Sequence, residues 1–122
     1  MKQHAAGFLN LIKEVMSRIK ETTAEEVNDM LLRKEPMVLI DVREDSEWAA
    51  GYITGAQHLG RGIIERDIEK VVPDKETPIV LYCGGGYRSA LSADSLQKMG
   101  YTNVLSMAGG WSGWCEKDLP RT

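Results

Sequence analysis

Cys83 is followed by Gly84, Gly85, Gly86, Tyr87 and Arg88, so a thiol and a guanidinium stand with four residues between them, three of them glycines. Successive glycines let backbone N–H groups turn inward and form an anion-binding nest, most effectively at a helix N-terminus. A thiolate held there is stabilised by the donors, by the positive end of the helix and by Arg88, which makes Cys83 a nucleophile near neutral pH. The competing reading is an ordinary buried cysteine in a tight turn, and the glycine run with its arginine counts against it. Cys115, the other cysteine, either resolves an oxidised Cys83 or is inert, and its neighbours offer no activation.

Such a thiol needs a strand behind it and a helix in front of it. Ile79-Val80-Leu81-Tyr82, bounded by Pro78, reads as a strand buried on both faces. From Ser89, the positions Leu91, Leu96 and Met99, with Ala90 and Ala93 between them, mark one face of a helix that stops at Gly100. Cys83 then lies at the carboxyl edge of a parallel sheet, where open α/β folds bind ligands.

The remaining elements follow the same logic. Thr23 and Glu26 have capping-box spacing, predicting a helix to about Lys34. Pro36 breaks it before the strand Met37-Val38-Leu39-Ile40, which delivers Asp41 and Arg43 to the edge that carries Cys83. These two are expected to hold loops in place by hydrogen bonds, with catalysis as the alternative. A short helix at 46–50 leads through a turn-rich stretch to a brief strand at 56–59 and then to Arg61. Arg61 either adds positive charge at the mouth of the site or is simply solvated. A helix at 63–72 and a polar turn precede the Cys83 strand. Val104-Leu105-Ser106-Met107 is the last strand, and Gly109, Gly110 and Trp111 turn the chain into a final helix. The paired glycines permit close backbone approach beside the Cys83 loop, and Trp111 either walls the pocket or packs into the core.

Phe8, Leu11, Ile12, Val15, Met16 and Ile19 recur three and four apart, the stripe of an amphipathic helix over residues 1–20 that precedes a domain of residues 21–122. Its polar face mixes Glu14 with Lys13 and Arg18, which favours packing on the domain over a dimer contact or a membrane-surface anchor.

A net charge of −3 over 122 residues predicts no general affinity for nucleic acid or anionic membrane. No apolar run approaches membrane-spanning length, and no internal repeat is visible. Two cysteines are too few for a disulfide scaffold and lack zinc-ligand spacing, which predicts a reduced, cytoplasmic setting. His58 has no partner at ligand spacing and is read as structural.

Taken together, Asp41-Val42-Arg43-Glu44 with Glu47-Trp48, Gly51-Tyr52-Ile53-Thr54-Gly55-Ala56, the loop from Cys83 to Ser89, and Gly109-Gly110-Trp111 resemble the rhodanese family of sulfurtransferases. The resemblance spans roughly residues 22–120 and implies a single rhodanese domain of α/β class, a five-stranded parallel sheet flanked by helices, with the leading helix as an addition. It further implies a two-step covalent transfer. A Cys83 thiolate takes a sulfane sulfur from a small-molecule donor such as thiosulfate, and passes it from a persulfide to cyanide or a thiol. The N–H groups of residues 84–88 and the charge of Arg88 would hold the anions, with Arg61 as a second contact and Asp41, Arg43, Gly109, Gly110 and Trp111 in support. No metal or organic cofactor is required, and a homodimer through the leading helix is an option.

Tyr52 and Thr54 stand where the family often has His and Pro, in a connection that is mainly structural. Phosphatases and arsenate reductases of similar fold place five residues between Cys and Arg and commonly have His where this chain has Tyr82. The count here is four, a tighter cradle suited to one sulfur atom. A non-catalytic binding module built on the rhodanese scaffold is the remaining alternative, and the intact Cys83 and Arg88 argue against it.

Overall fold

A computed structural model describes residues 4–122, so the first three residues of the expected leading helix lie outside the described residues. The element order is α1 (Ala6–Met16), β1 (Lys20–Thr22), α2 (Ala24–Leu32), β2 (Val38–Asp41), α3 (Asp45–Ala50), β3 (Gln57–His58), α4 (Ile64–Val71), β4 (Ile79–Tyr82), α5 (Tyr87–Lys98), β5 (Val104–Met107) and α6 (Gly110–Glu116). The five strands form one parallel sheet in the order β1-β5-β4-β2-β3. The structure therefore has the α/β architecture that the strand and helix patterns predict.

β4 is central, and its uninterrupted apolar run is explained by burial on both faces. Side chains alternate across a strand, so Ile79, Leu81 and Cys83 enter one core with Ile64 and Ile68 of α4 and Ala93 and Leu96 of α5. Val80 and Tyr82 enter the other, with Val27 of α2 and Trp114 of α6. The Tyr82 hydroxyl accepts the N–H of Ile53 at 3.1 Å, which pairs a buried phenol inside an otherwise apolar layer.

The leading helix, expected over residues 1–20, ends at Met16, and Lys20 already belongs to β1; α3 and α4 differ from the sequence reading by one residue at their ends. Two further boundaries differ for a clear local reason. α2 ends at Leu32 rather than near Lys34. Lys34 adopts a left-handed φ of 54°, its N–H bonding Leu31 O and the Glu35 N–H bonding Met30 O, a Schellman closure forced just before Pro36. α5 begins at Tyr87 rather than Ser89, because Gly86 takes a φ of 116° and turns the chain into the helix at once. Arg88 consequently lies in the first turn of α5.

α1 packs along α5. Ile12 and Val15 are buried, and Arg18 beyond the helix end clasps Asp94 of α5 with Nε and Nη2, both at 3.0 Å. Among the described residues no helix is long and apolar enough to cross a membrane.

Candidate active site

The thiol sits where the parallel strands end. Cys83 directly follows β4 and is buried, with its Sγ 3.0 Å from the N–H of Gly86 and 3.6 Å from Ser89 Oγ. Ser89 is fixed beneath it, its Oγ donating to Gly86 O at 3.1 Å and paired with Ser106 Oγ of β5 at 2.8 Å. Of the loop N–H groups expected to line a nest, the one from Gly86 is the donor that reaches Sγ.

The loop is clamped from below by α6. The N–H groups of Trp111 and Ser112 donate to the carbonyl oxygens of Cys83 and Gly84, at 2.7 and 3.1 Å. This contact demands glycine at position 110, whose φ is +52° and where a Cβ would fall against the Cys83 and Gly84 carbonyl oxygens. Gly109, at φ +79°, makes the turn that allows it.

A cavity of about 960 Å³ opens over Cys83, lined by Gly84, Gly85, Tyr87, Arg88, Trp111 and Ser112 together with Glu47, His4 and Phe8. A smaller depression of about 220 Å³ lies at the opposite sheet edge, around Met37 and Pro78, and has no thiol in its lining. Arg88 lies across Gly84, close enough that a Cβ on Gly84 would come within 3.0 Å of Nη2. Its guanidinium is gripped by Glu47 in two bonds, Nη1 to Oε1 at 2.6 Å and Nη2 to Oε2 at 3.1 Å. Glu47 is itself held because Oε1 also accepts the Glu44 N–H at 3.1 Å, fastening it to the start of α3. These bonds from Arg88 outweigh partial burial and draw the Glu47 carboxyl down to about 2. Glu47 in turn raises the Arg88 guanidinium.

Glu47 is the main residue that reading the sequence for roles overlooked. The signal was its place in the Glu47-Trp48 pair after β2, but nothing local says that it meets Arg88, 41 positions away. His4 carried no expected role, and Phe8 was read as part of the packing stripe of the leading helix, whereas both line the cavity.

The other expected site residues lie apart from the cavity. Asp41 and Arg43 are both buried and form a bidentate pair, Nε reaching Oδ1 at 3.0 Å and Nη2 reaching Oδ2 at 2.8 Å. Arg43 Nη2 also donates to Gly51 O at 2.6 Å, and its guanidinium stacks 4.7 Å from the Trp111 ring. The pair thus ties the end of β2 to the turn after α3 and braces the back of a cavity-lining tryptophan. Burial works against the charge of Arg43, while Asp41 restores and exceeds it, leaving the guanidinium raised. Arg61 does not line the cavity; its Nη1 is paired with Glu65 Oε2 of α4 at 2.6 Å. His58 is bonded to Arg43 O at 2.8 Å and stacked on Trp48, and Cys115 on α6 is outside the cavity lining.

Comparison with known proteins follows the same outline. Residues 23–117 match the rhodanese-like domain. Thiosulfate sulfurtransferase GlpE of Haemophilus influenzae is 34% identical over 101 residues, covering 83% of this chain and 92% of that protein. Among solved structures, a protein of unknown function from Rhodopseudomonas palustris, described as a possible tyrosine phosphatase, aligns with a TM-score of 0.87 at 28% identity over 98% of both chains. The polysulfide-sulfur transferase homodimer of Wolinella succinogenes aligns with a TM-score of 0.79 at 25% identity, over 96% of this chain and 88% of that one. With a parallel sheet that carries its thiol off the central strand and a sequence match over most of its length, the chain belongs to the rhodanese family.

Proposed function

We propose that the protein is a sulfurtransferase that carries a sulfane sulfur on Cys83, taking it from an anionic donor such as thiosulfate and giving it to a thiophilic acceptor. The observation that supports this most directly is the Cys83 thiol in contact with the Gly86 N–H at the N-terminus of α5, under an open cavity that Arg88 also lines. In the first step the Cys83 thiolate attacks the outer sulfur of thiosulfate. A new S–S bond forms, the donor's own S–S bond breaks, and sulfite leaves with its electron pair. In the second step a thiolate or cyanide attacks the outer sulfur of the persulfide, and the electron pair of the broken bond returns to Cys83. The two steps balance without an external oxidant or reductant.

Arg88 is suited to meet the donor and the leaving anion, and the Gly86 N–H together with the α5 dipole favours negative charge on sulfur. Asp41 and Arg43 support the site through the β2 end and Trp111, and Gly109 and Gly110 through the clamp on the loop. α1, which precedes the first strand of the sheet, is an extension to the rhodanese domain. The test is intact-protein mass spectrometry after incubation with thiosulfate. A gain of one sulfur, lost in Cys83→Ser, is the expected result. No gain from thiosulfate or inorganic polysulfide, with turnover of an aryl phosphate instead, would overturn the proposal in favour of phosphatase chemistry.

A further inference from the structure

The rhodanese-like match begins at residue 23, yet the wall of the Cys83 cavity is built partly from residues before it. Phe8 of α1 and His4 just ahead of that helix line the cavity with Tyr87, the residue between the glycine run and Arg88. The three rings form one cluster. Phe8 meets Tyr87 edge-on at 5.7 Å, His4 meets Tyr87 edge-on at 5.1 Å, and His4 and Phe8 are 5.2 Å apart. Tyr87 remains 39% exposed, so the cluster presents an apolar face to the cavity instead of filling a core. α1 is anchored behind it by buried Ile12 and Val15, by the Arg18–Asp94 clasp, and by a bond from Gln97 Nε2 to Arg18 O at 2.9 Å.

Size and charge then narrow what the cavity takes. About 960 Å³ lies at the upper end of the range for organic ligand sites and far exceeds the needs of one sulfur atom or a small oxyanion. Besides His4, which is taken up in the ring cluster, the acidic and basic side chains that line it are Glu47 and Arg88, already bonded to each other. The apolar side-chain surface of the lining is aromatic, from Phe8, Tyr87 and Trp111.

We propose that the sulfur acceptor is an organic thiol bearing an aryl or similarly bulky apolar group, which rests on the Phe8–Tyr87–His4 wall while its sulfur reaches Cys83. This rests on the sulfur-transfer reading above. The acceptor thiolate attacks the outer sulfur of the Cys83 persulfide and a new S–S bond forms. The persulfide bond breaks, its electron pair stays on Cys83 as thiolate, and the acceptor departs as an organic persulfide. α1 is therefore a specificity element of the site.

The test loads the full chain with thiosulfate, removes excess donor, and follows loss of the added sulfur by intact mass. Phenylmethanethiol and 2-mercaptoethanol are compared at equal thiolate concentration. The aryl thiol is expected to discharge the protein with kcat/KM about tenfold higher, mainly through KM, equivalent to about 1.4 kcal/mol. That preference falls toward unity in Phe8→Ala and is retained in Phe8→Trp. In the unaltered protein, phenylmethanol slows discharge by 2-mercaptoethanol whereas ethanol does not, a reading that needs no variant to fold. Equal discharge by the two thiols, or no protection by phenylmethanol, overturns the inference. A chain that gains sulfur from neither thiosulfate nor inorganic polysulfide refutes the sulfur-transfer reading itself; one that gains it and shows no preference refutes this inference alone.

Discussion

Replacing Glu47 with Gln isolates what the carboxylate does to Arg88. The pair is bidentate and its side chains are about one-third exposed, 35% for Glu47 and 34% for Arg88. A carboxyl drawn from 4.5 to about 2 corresponds to roughly 3 kcal/mol without screening. At this exposure solvent reduces the pair to about 1 kcal/mol. An anionic donor must compete with Glu47 for the guanidinium, so removing the charge while keeping one amide oxygen in place should lower the thiosulfate KM about fivefold. The same change should destabilise the fold by about 1 kcal/mol at neutral pH. The sign with pH follows from the lowered carboxyl. Its contribution is complete above about 4.5 and is lost as pH falls toward about 2, so the stability gap between parent and Glu47→Gln closes across that window. Steady-state kinetics at low ionic strength and urea titrations at several pH values provide the readouts. A thiosulfate KM that is unchanged or higher in Glu47→Gln would refute the view that Glu47 competes with the donor.

Two further substitutions probe neighbouring parts of the site. Arg88→Ala removes the guanidinium and leaves the Glu47 carboxylate facing the donor, so the thiosulfate KM should rise about tenfold; an unchanged value would show that Arg88 does not contact the anion. Gly110→Ala imposes a left-handed φ on a residue with a side chain and drives Cβ against the Cys83 and Gly84 carbonyl oxygens. The loss in a urea titration should be about 3 kcal/mol, and a loss below about 1 kcal/mol would mean that α6 can withdraw from the loop at little cost.

Much of the scaffold was legible because its signals are local. Pro36 and Pro78 mark the starts of β2 and β4, the uninterrupted apolar run of β4 reports burial on two faces, and Gly100 closes α5 where the periodicity ends. Lys34 shows the limit of such reading. A Schellman closure normally uses glycine at this position, so a lysine gave no warning that α2 would end there. Arg61 shows another limit: a strand end brings a residue to the correct edge, but its i+4 neighbour Glu65 decides where the guanidinium goes.

By itself the sequence determined the thiol, the glycine loop and the strand and helix that flank them, since these depend on neighbours within a few positions. Tertiary structure alone decided that Glu47 grips Arg88, because that meeting depends on β2 lying beside β4 so that the segments following each strand converge. It likewise decided that Phe8 and His4 wall the cavity, through the packing of α1 along α5. Both outcomes join segments far apart in the chain, and burial of apolar faces selects such partners with no mark in the local residue pattern.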